Sequence, residues 1–205
     1  MLVMAMSLMV APTANAQSRQ MKKEMKKEYT KRIKAFNKDG WKLAGSARTI
    51  EVELLKHYER LEKDGVSQVT GVAESSIDNV GRQRVIASAA QQYALSCGQH
   101  IRGRMIEDMN SNLSDEAKNE FDNFYSAYES KVEKEIKGEL QMSFMVKRQK
   151  EKGSNTYQYE GYFTVDEVAA SKARMRAFEQ AAKESAAAQK YADRVSKFVQ
   201  EAFDD

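Results

Sequence analysis

Between Leu140 and Val165 two runs of alternating side chains flank Gly153-Ser154-Asn155, and no other stretch restricts the fold as tightly. In the first run Leu140, Met142, Phe144 and Val146 fall on one face, and Gln141, Ser143 and Lys147 on the other. In the second, Tyr157, Tyr159, Phe163 and Val165 alternate with their neighbours. Strand side chains point to opposite faces in turn, so two such runs around a turn triplet predict an antiparallel hairpin. Tyr157, Tyr159 and Phe163 are expected on its inner face, with Tyr162 a half-exposed outer residue. An isolated hairpin is marginal in water and needs more strands or helices against its apolar side.

The rest of the chain supplies both. Val66–Ala73 is rich in β-branched residues and predicts a strand, in which Gly71 marks a bulge or the close approach of another backbone. Trp41–Gly45 reads as a short strand or an extended entry. Thr49 is placed to cap a helix to about Lys63, with Ile50, Leu54, His57 or Tyr58, and Leu61 on one face. From Asn79 as cap to about Met109, Val85, Ala89, Tyr93, Cys97, Ile101 and Met105 recur at four-residue steps, the stride of one helix face. Ser114 begins another helix, through Phe121, Phe124, Tyr125, Tyr128 and Val132 to Lys137. Asp166 caps a last helical stretch to about Phe203, with Tyr191, Val195, Phe198, Val199 and Ala202 as its stripe; the pattern leaves open whether it is one helix or two. These elements predict an α+β fold: a small, largely antiparallel sheet, including the hairpin, covered on one face by long alanine-rich helices.

Three segments follow. Residues 1–16 pair an apolar stretch with Pro12 and small residues at Ala14 and Ala16, the pattern of a secretory signal cleaved near Ala16-Gln17, although no Lys or Arg precedes Arg19. Residues 17–40 form a basic amphipathic helix with Met21, Met25, Tyr29, Ile33 and Phe36 as its stripe; within 19–38, nine Lys or Arg face only Glu24 and Glu28. Because the whole chain carries only +3, residues 41–205, the expected single α+β domain, carry no basic excess of their own. Export predicts a periplasmic or envelope-associated protein. In an oxidising compartment the lone Cys97 can form no internal bridge, and its place on an apolar stripe predicts burial.

The order of a glycine-bearing strand (Val69-Thr70-Gly71-Val72-Ala73), an alanine-rich helix (Ala87, Ala89, Ala90, Ala94), a long hairpin and a second alanine-rich helix (Ala169, Ala170, Ala173, Ala177) resembles the twenty-kilodalton bacterial outer-membrane lipoprotein family. It is also similar to secreted proteins of Bacteroides-type bacteria that share this layout. The likeness covers roughly residues 41–203. Gln17 stands where that family carries its lipidated cysteine, and the basic helix is extra. The resemblance implies an envelope protein and brings no catalytic residues.

Chemistry-bearing motifs are scarce. One proline and one cysteine exclude a collagen-like chain, a disulfide scaffold and a multi-cysteine zinc fold; 41% apolar and 31% charged residues fit a globular domain rather than a disordered tail or membrane bundle. His57 and His100 are the only histidines, and there is no Gly-x-Ser-x-Gly elbow, His-Glu-x-x-His pair, EF-hand loop or phosphate-binding glycine loop. A Cys97–His100 nucleophile pair is conceivable from spacing, but a thiol on an apolar stripe is uncharged and inert. No cofactor or metal is expected. The carboxylates sit beside lysines, as in Glu133-Lys134-Glu135, and read as solvated faces.

The strongest functional candidates are Lys22, Lys23, Lys26, Lys27, Lys31 and Arg32 of the basic helix, with Trp41 just beyond it. The leading expectation is a non-enzymatic secreted envelope protein that binds another envelope component or assembles with itself. The alternative is a peripheral module whose basic helix binds an anionic membrane surface. A weaker alternative is a hydrolase with dispersed carboxylates. Nucleic acid is not expected as a partner, since an exported chain rarely meets it and no interleaved aromatics accompany the lysines.

Overall fold

The computed structural model describes residues 14–109 and 115–200. Residues 1–13 of the expected signal, Ser114, Ala202 and Phe203 therefore lie outside the described residues. In chain order the elements are α1 (Ala14–Lys38), β1 (Lys42–Leu43), α2 (Ile50–Leu61), β2 (Val66–Ser75), α3 (Asp78–Met109), α4 (Asp115–Ile136), β3 (Gln141–Gln149), β4 (Tyr157–Asp166), α5 (Glu167–Ala182), α6 (Ala186–Lys190) and α7 (Ala192–Gln200). The strands form one antiparallel sheet in the order β1-β3-β4-β2, with β3 and β4 as the hairpin and Gly153 turning it at φ +83°. The fold is α+β, as the alternation and helix periods predict.

One sheet face carries the main core. Val69, Tyr159, Phe163 and Val165 point into it, and α3 lays Val85, Ala89, Tyr93, Cys97, Ile101 and Met105 over them, all buried. Gly71 and Gly161 are partners across β2 and β4, and together they make the hollow in which α3 seats. A Cβ on Gly71 would lie 2.8 Å from the Ala89 nitrogen, and one on Gly161 would meet the Val85 side chain. Gly71 therefore marks close approach rather than a bulge. Behind α3, α4 brings Phe121, Phe124, Tyr125 and Tyr128 against Phe178 of α5. Fully buried Ala170, Ala173, Ala177 and Ala181 make that contact thin enough for the helices to pack closely.

The other face is covered as well, by α1 and α2. Phe36, Ile50 and Leu54 bury Phe144, Val146 and Tyr162 there. This corrects the expectation for Tyr162, which is 1% exposed because the outer face of the hairpin carries its own small core. Met142 departs too: a register shift between Met142 and Phe144 turns Met142 to solvent at 51% exposure. Alternation persists on either side of that bulge but not through it.

Helix ends obey local chemistry in part. Asp166 accepts from the Ala169 amide at 3.1 Å and caps α5 as expected. Thr49 occupies the cap position of α2 with no side-chain hydrogen bond. Asn79 is not a cap, because α3 begins at Asp78 after Ser75 closes a local turn on Ile77. Among the described residues the C-terminal stretch is three helices rather than one or two; Ser185 receives the Ala188 amide at 3.1 Å where the chain restarts as α6.

Candidate functional site

The basic helix, α1, is docked rather than free. Its stripe faces the second core: Phe36 is 4% exposed and meets Tyr162 edge-to-face at 6.1 Å, while Ile33 and Tyr29 are half-buried. Tyr29 Oη donates to the Glu51 carbonyl of α2 at 3.2 Å. The apolar stripe of the basic helix thus packs on the chain itself from Tyr29 to Phe36.

Docking sorts the candidate cations. Lys23, Lys26, Lys27 and Lys31 are exposed on the outer side of α1, with Lys34 and Lys38 continuing the face. Lys27 forms an ion pair with Glu24 at 2.7 Å in open solvent, a contact worth little to stability. Lys22 belongs to α1, but its side chain lies outside the described residues. Arg32 is the one of these held by the chain itself: Nη1 donates to Tyr162 Oη at 3.1 Å, with the guanidinium carbon 5.3 Å from that ring. It ties α1 to β4 while a third of its side chain stays exposed. Burial and the Glu160 hydrogen bond push the Tyr162 hydroxyl up, so it stays protonated and links Glu160 to Arg32.

Trp41 stands apart from the lysines. Gly40, at φ +70°, turns the chain out of α1, and Trp41 then packs edge-to-face on Phe36 at 6.5 Å, with Arg148 4.7 Å over its ring. It walls a recess of about 320 Å³ above Val72, Glu74 and Glu160. A second recess, about 370 Å³, opens between Met25 and Tyr29 of α1 and Leu55 and Tyr58 of α2. Burial, with Glu28 nearby, pushes the Tyr58 hydroxyl up to about 12.

Two polar constellations escape sequence reasoning, because their members are far apart in the chain. His57, 1% exposed, places Nδ1 2.9 Å from Ser143 Oγ and Nε2 2.7 Å from Gln68 Oε1. With Gln68 accepting from Nε2–H, Nδ1 accepts from the serine, which is the order of a serine–base pair. Burial pushes the His57 pKa down, and Arg32 and Arg60 reinforce the shift against the Gln68 hydrogen bond. Yet the ring packs at a steep angle against the stacked pair of Phe144 and Tyr162, and Ser143 also takes Arg60 Nη1 at 3.2 Å. These contacts fasten α2 to the sheet.

The second lies in the main core. Arg174 of α5 is fully buried and donates to Tyr93 Oη at 2.6 Å, to the Val199 carbonyl at 3.1 Å and to Glu167. Cys97 lies beside them, bonded to Tyr93 rather than to His100, and burial pushes its thiol up to about 12. That thiol is uncharged at neutral pH, so the Cys97–His100 pair has no nucleophile. Tyr128 Oη and His100 Nε2 are buried with no hydrogen-bond partner among the described residues.

Among the described residues no three His, Cys, Asp or Glu side chains gather as a metal site, and no helix is long and apolar enough to cross a membrane. No protein-family model, curated protein or solved structure matches the chain.

Proposed function

We propose that this chain is an exported, non-enzymatic envelope protein that attaches to an anionic surface through the outer lysines of α1. One observation carries the reading: docking through Tyr29, Ile33 and Phe36 turns Lys23, Lys26, Lys27 and Lys31 outward together. Lysines near an anionic lipid surface contribute about 1 kcal/mol each, reduced by salt. The apolar stripe from Tyr29 to Phe36 is occupied, so attachment is electrostatic and reversible rather than insertive. The signal-like residues 1–16 and the resemblance to the twenty-kilodalton lipoprotein family support the envelope as the place, with cleavage near Ala16-Gln17.

Sedimentation with vesicles of phosphatidylcholine containing a quarter phosphatidylglycerol tests the attachment. The mature chain beginning at Gln17 is expected to pellet with these vesicles, and not with phosphatidylcholine alone. Changing Lys23, Lys26, Lys27 and Lys31 to Gln together is expected to weaken it by at least about 100-fold at low salt. Equal pelleting of that variant, or of the mature chain with neutral vesicles, refutes the reading. Recovery of the unprocessed polypeptide from the cytosol refutes export.

A further inference from the structure

We infer that the recess beside Trp41 binds a neutral sugar chain. The lysine face of α1 has no part in this site, so the inference stands or falls separately from attachment to an anionic surface. Trp41 is half-buried, with Phe36 at a steep angle to its ring at 6.5 Å and Arg148 4.7 Å over one face, so a ligand can meet only the opposite face. The floor is Val72, 55% exposed in the body of a strand, where a β-branched side chain ordinarily finds cover.

The rim is made of planar polar groups, each already held in place. Glu74 accepts from Lys150 at 2.6 Å and from Gln158 at 3.0 Å. Gln158 in turn accepts from Arg148 at 2.9 Å. Glu160 accepts from Tyr162 at 2.5 Å, and Arg32 donates to that same hydroxyl. A carboxylate offers about four acceptor sites, so one or two contacts leave Glu74 and Glu160 free to accept more. An apolar floor with a few fixed polar groups is the usual make-up of a small-molecule site, and about 320 Å³ is enough for one or two sugar rings.

Charge and shape select the ligand. A pyranose presents a face of C–H groups, which an indole ring can cover, and a rim of hydroxyls, which donate to carboxylates and accept from amides. Lys150 on Glu74, and Arg32 reached from Glu160 through the Tyr162 hydroxyl, offset the two carboxylates, so neither an anion nor a cation gains much from the recess. The Lys150 and Gln158 hydrogen bonds hold Glu74 below the usual carboxylate range, so it serves as an acceptor rather than as the protonated acid of a glycosidase.

Trp41 is the only tryptophan in the chain, so its emission reports the site directly. The full chain is titrated with the β-1,4-linked tetrasaccharides of glucose and of N-acetylglucosamine, with glycerol as control. A saturable emission shift with at least one tetrasaccharide and none with glycerol is expected. By calorimetry, Trp41→Ala abolishes that binding, Trp41→Phe retains it within about 10-fold, and Glu160→Gln weakens it about 10-fold. Unchanged circular dichroism and urea midpoint qualify each variant as folded; if Trp41→Ala fails this check, Glu160→Gln and Trp41→Phe decide. No saturable shift with either sugar up to about 10 mM, or wild-type affinity in a folded Trp41→Ala or Glu160→Gln protein, overturns the proposal.

Discussion

Replacing Arg174 with alanine tests the most demanding contact in the core. The side chain is 0% exposed within an alanine-rich helix and supplies hydrogen bonds to three acceptors: the Val199 carbonyl, the Tyr93 hydroxyl and the Glu167 carboxylate. Burial pulls the guanidinium pKa down, but the Glu167 hydrogen bond and the nearby Tyr93 and Glu167 outweigh it and leave it raised. The group is therefore charged at every pH where the fold persists. A buried acceptor left without its donor costs about 1–3 kcal/mol. Tyr93 can reorient its hydroxyl and Glu167, 24% exposed, can recover water, so the Val199 carbonyl bears the largest share. Adding the lost packing of the stem, Arg174→Ala is expected to cost about 3–5 kcal/mol, the range for breaking a buried ion pair. Arg174→Met keeps the stem without the donors and should be milder by about 1–2 kcal/mol. Urea unfolding at neutral pH measures both losses. Hydrogen exchange should show α7 opening first, because Val199 ties α7 to α5. If Arg174→Ala costs less than about 1 kcal/mol, or Arg174→Met equals wild type, the guanidinium's hydrogen bonds do not hold this core together.

Gly71→Ala is expected to cost about 1–3 kcal/mol by overpacking, since its Cβ would lie 2.8 Å from the Ala89 nitrogen and 3.0 Å from the Ala89 Cβ; a thermal midpoint equal to wild type refutes the close-approach account. His57 is pushed below its ordinary value, so the unfolded chain takes up a proton before the folded one, and stability, full above about pH 6.5, falls as pH drops below it. His57→Gln should flatten that limb in urea midpoints taken from about pH 7 to about pH 5, and an unchanged slope refutes the assignment. Ser143, although 2.9 Å from His57 Nδ1, is expected to stay unlabelled by a fluorophosphonate probe, because it is already engaged by Arg60 and the base is buried against the stacked Phe144 and Tyr162 rings. Labelling lost in Ser143→Ala would sink the non-enzymatic reading.

Sequence periodicity is most informative where an element meets one uniform partner. α3 shows the four-residue stride from Val85 to Met105 because every turn faces the same core, and Gly71 announces that meeting from the opposite side. Alternation in the hairpin separates two faces but does not say which of them is covered. Tyr162 was therefore readable as outer yet not as buried, since its cover, Phe36 and Leu54, comes from helices more than a hundred residues earlier. The bulge at Met142 is invisible for a related reason: register is a property of the pair of strands, and one extra residue leaves each strand's own pattern almost intact. Arg174 is harder still. A charged residue among alanines reads as the solvent edge of a helix, and only the meeting of α3, α5 and α7 makes it an anchor. The same limit governs the candidate sites. The lysines of α1 were legible as a charge run, and docking decided only which of them face outward. Trp41 was legible as an unusual aromatic, but Val72, Glu74 and Glu160 reach it only through the pairing of β2 with β4. A surface made by one element is thus carried in local sequence, whereas a recess made by three is carried in the topology.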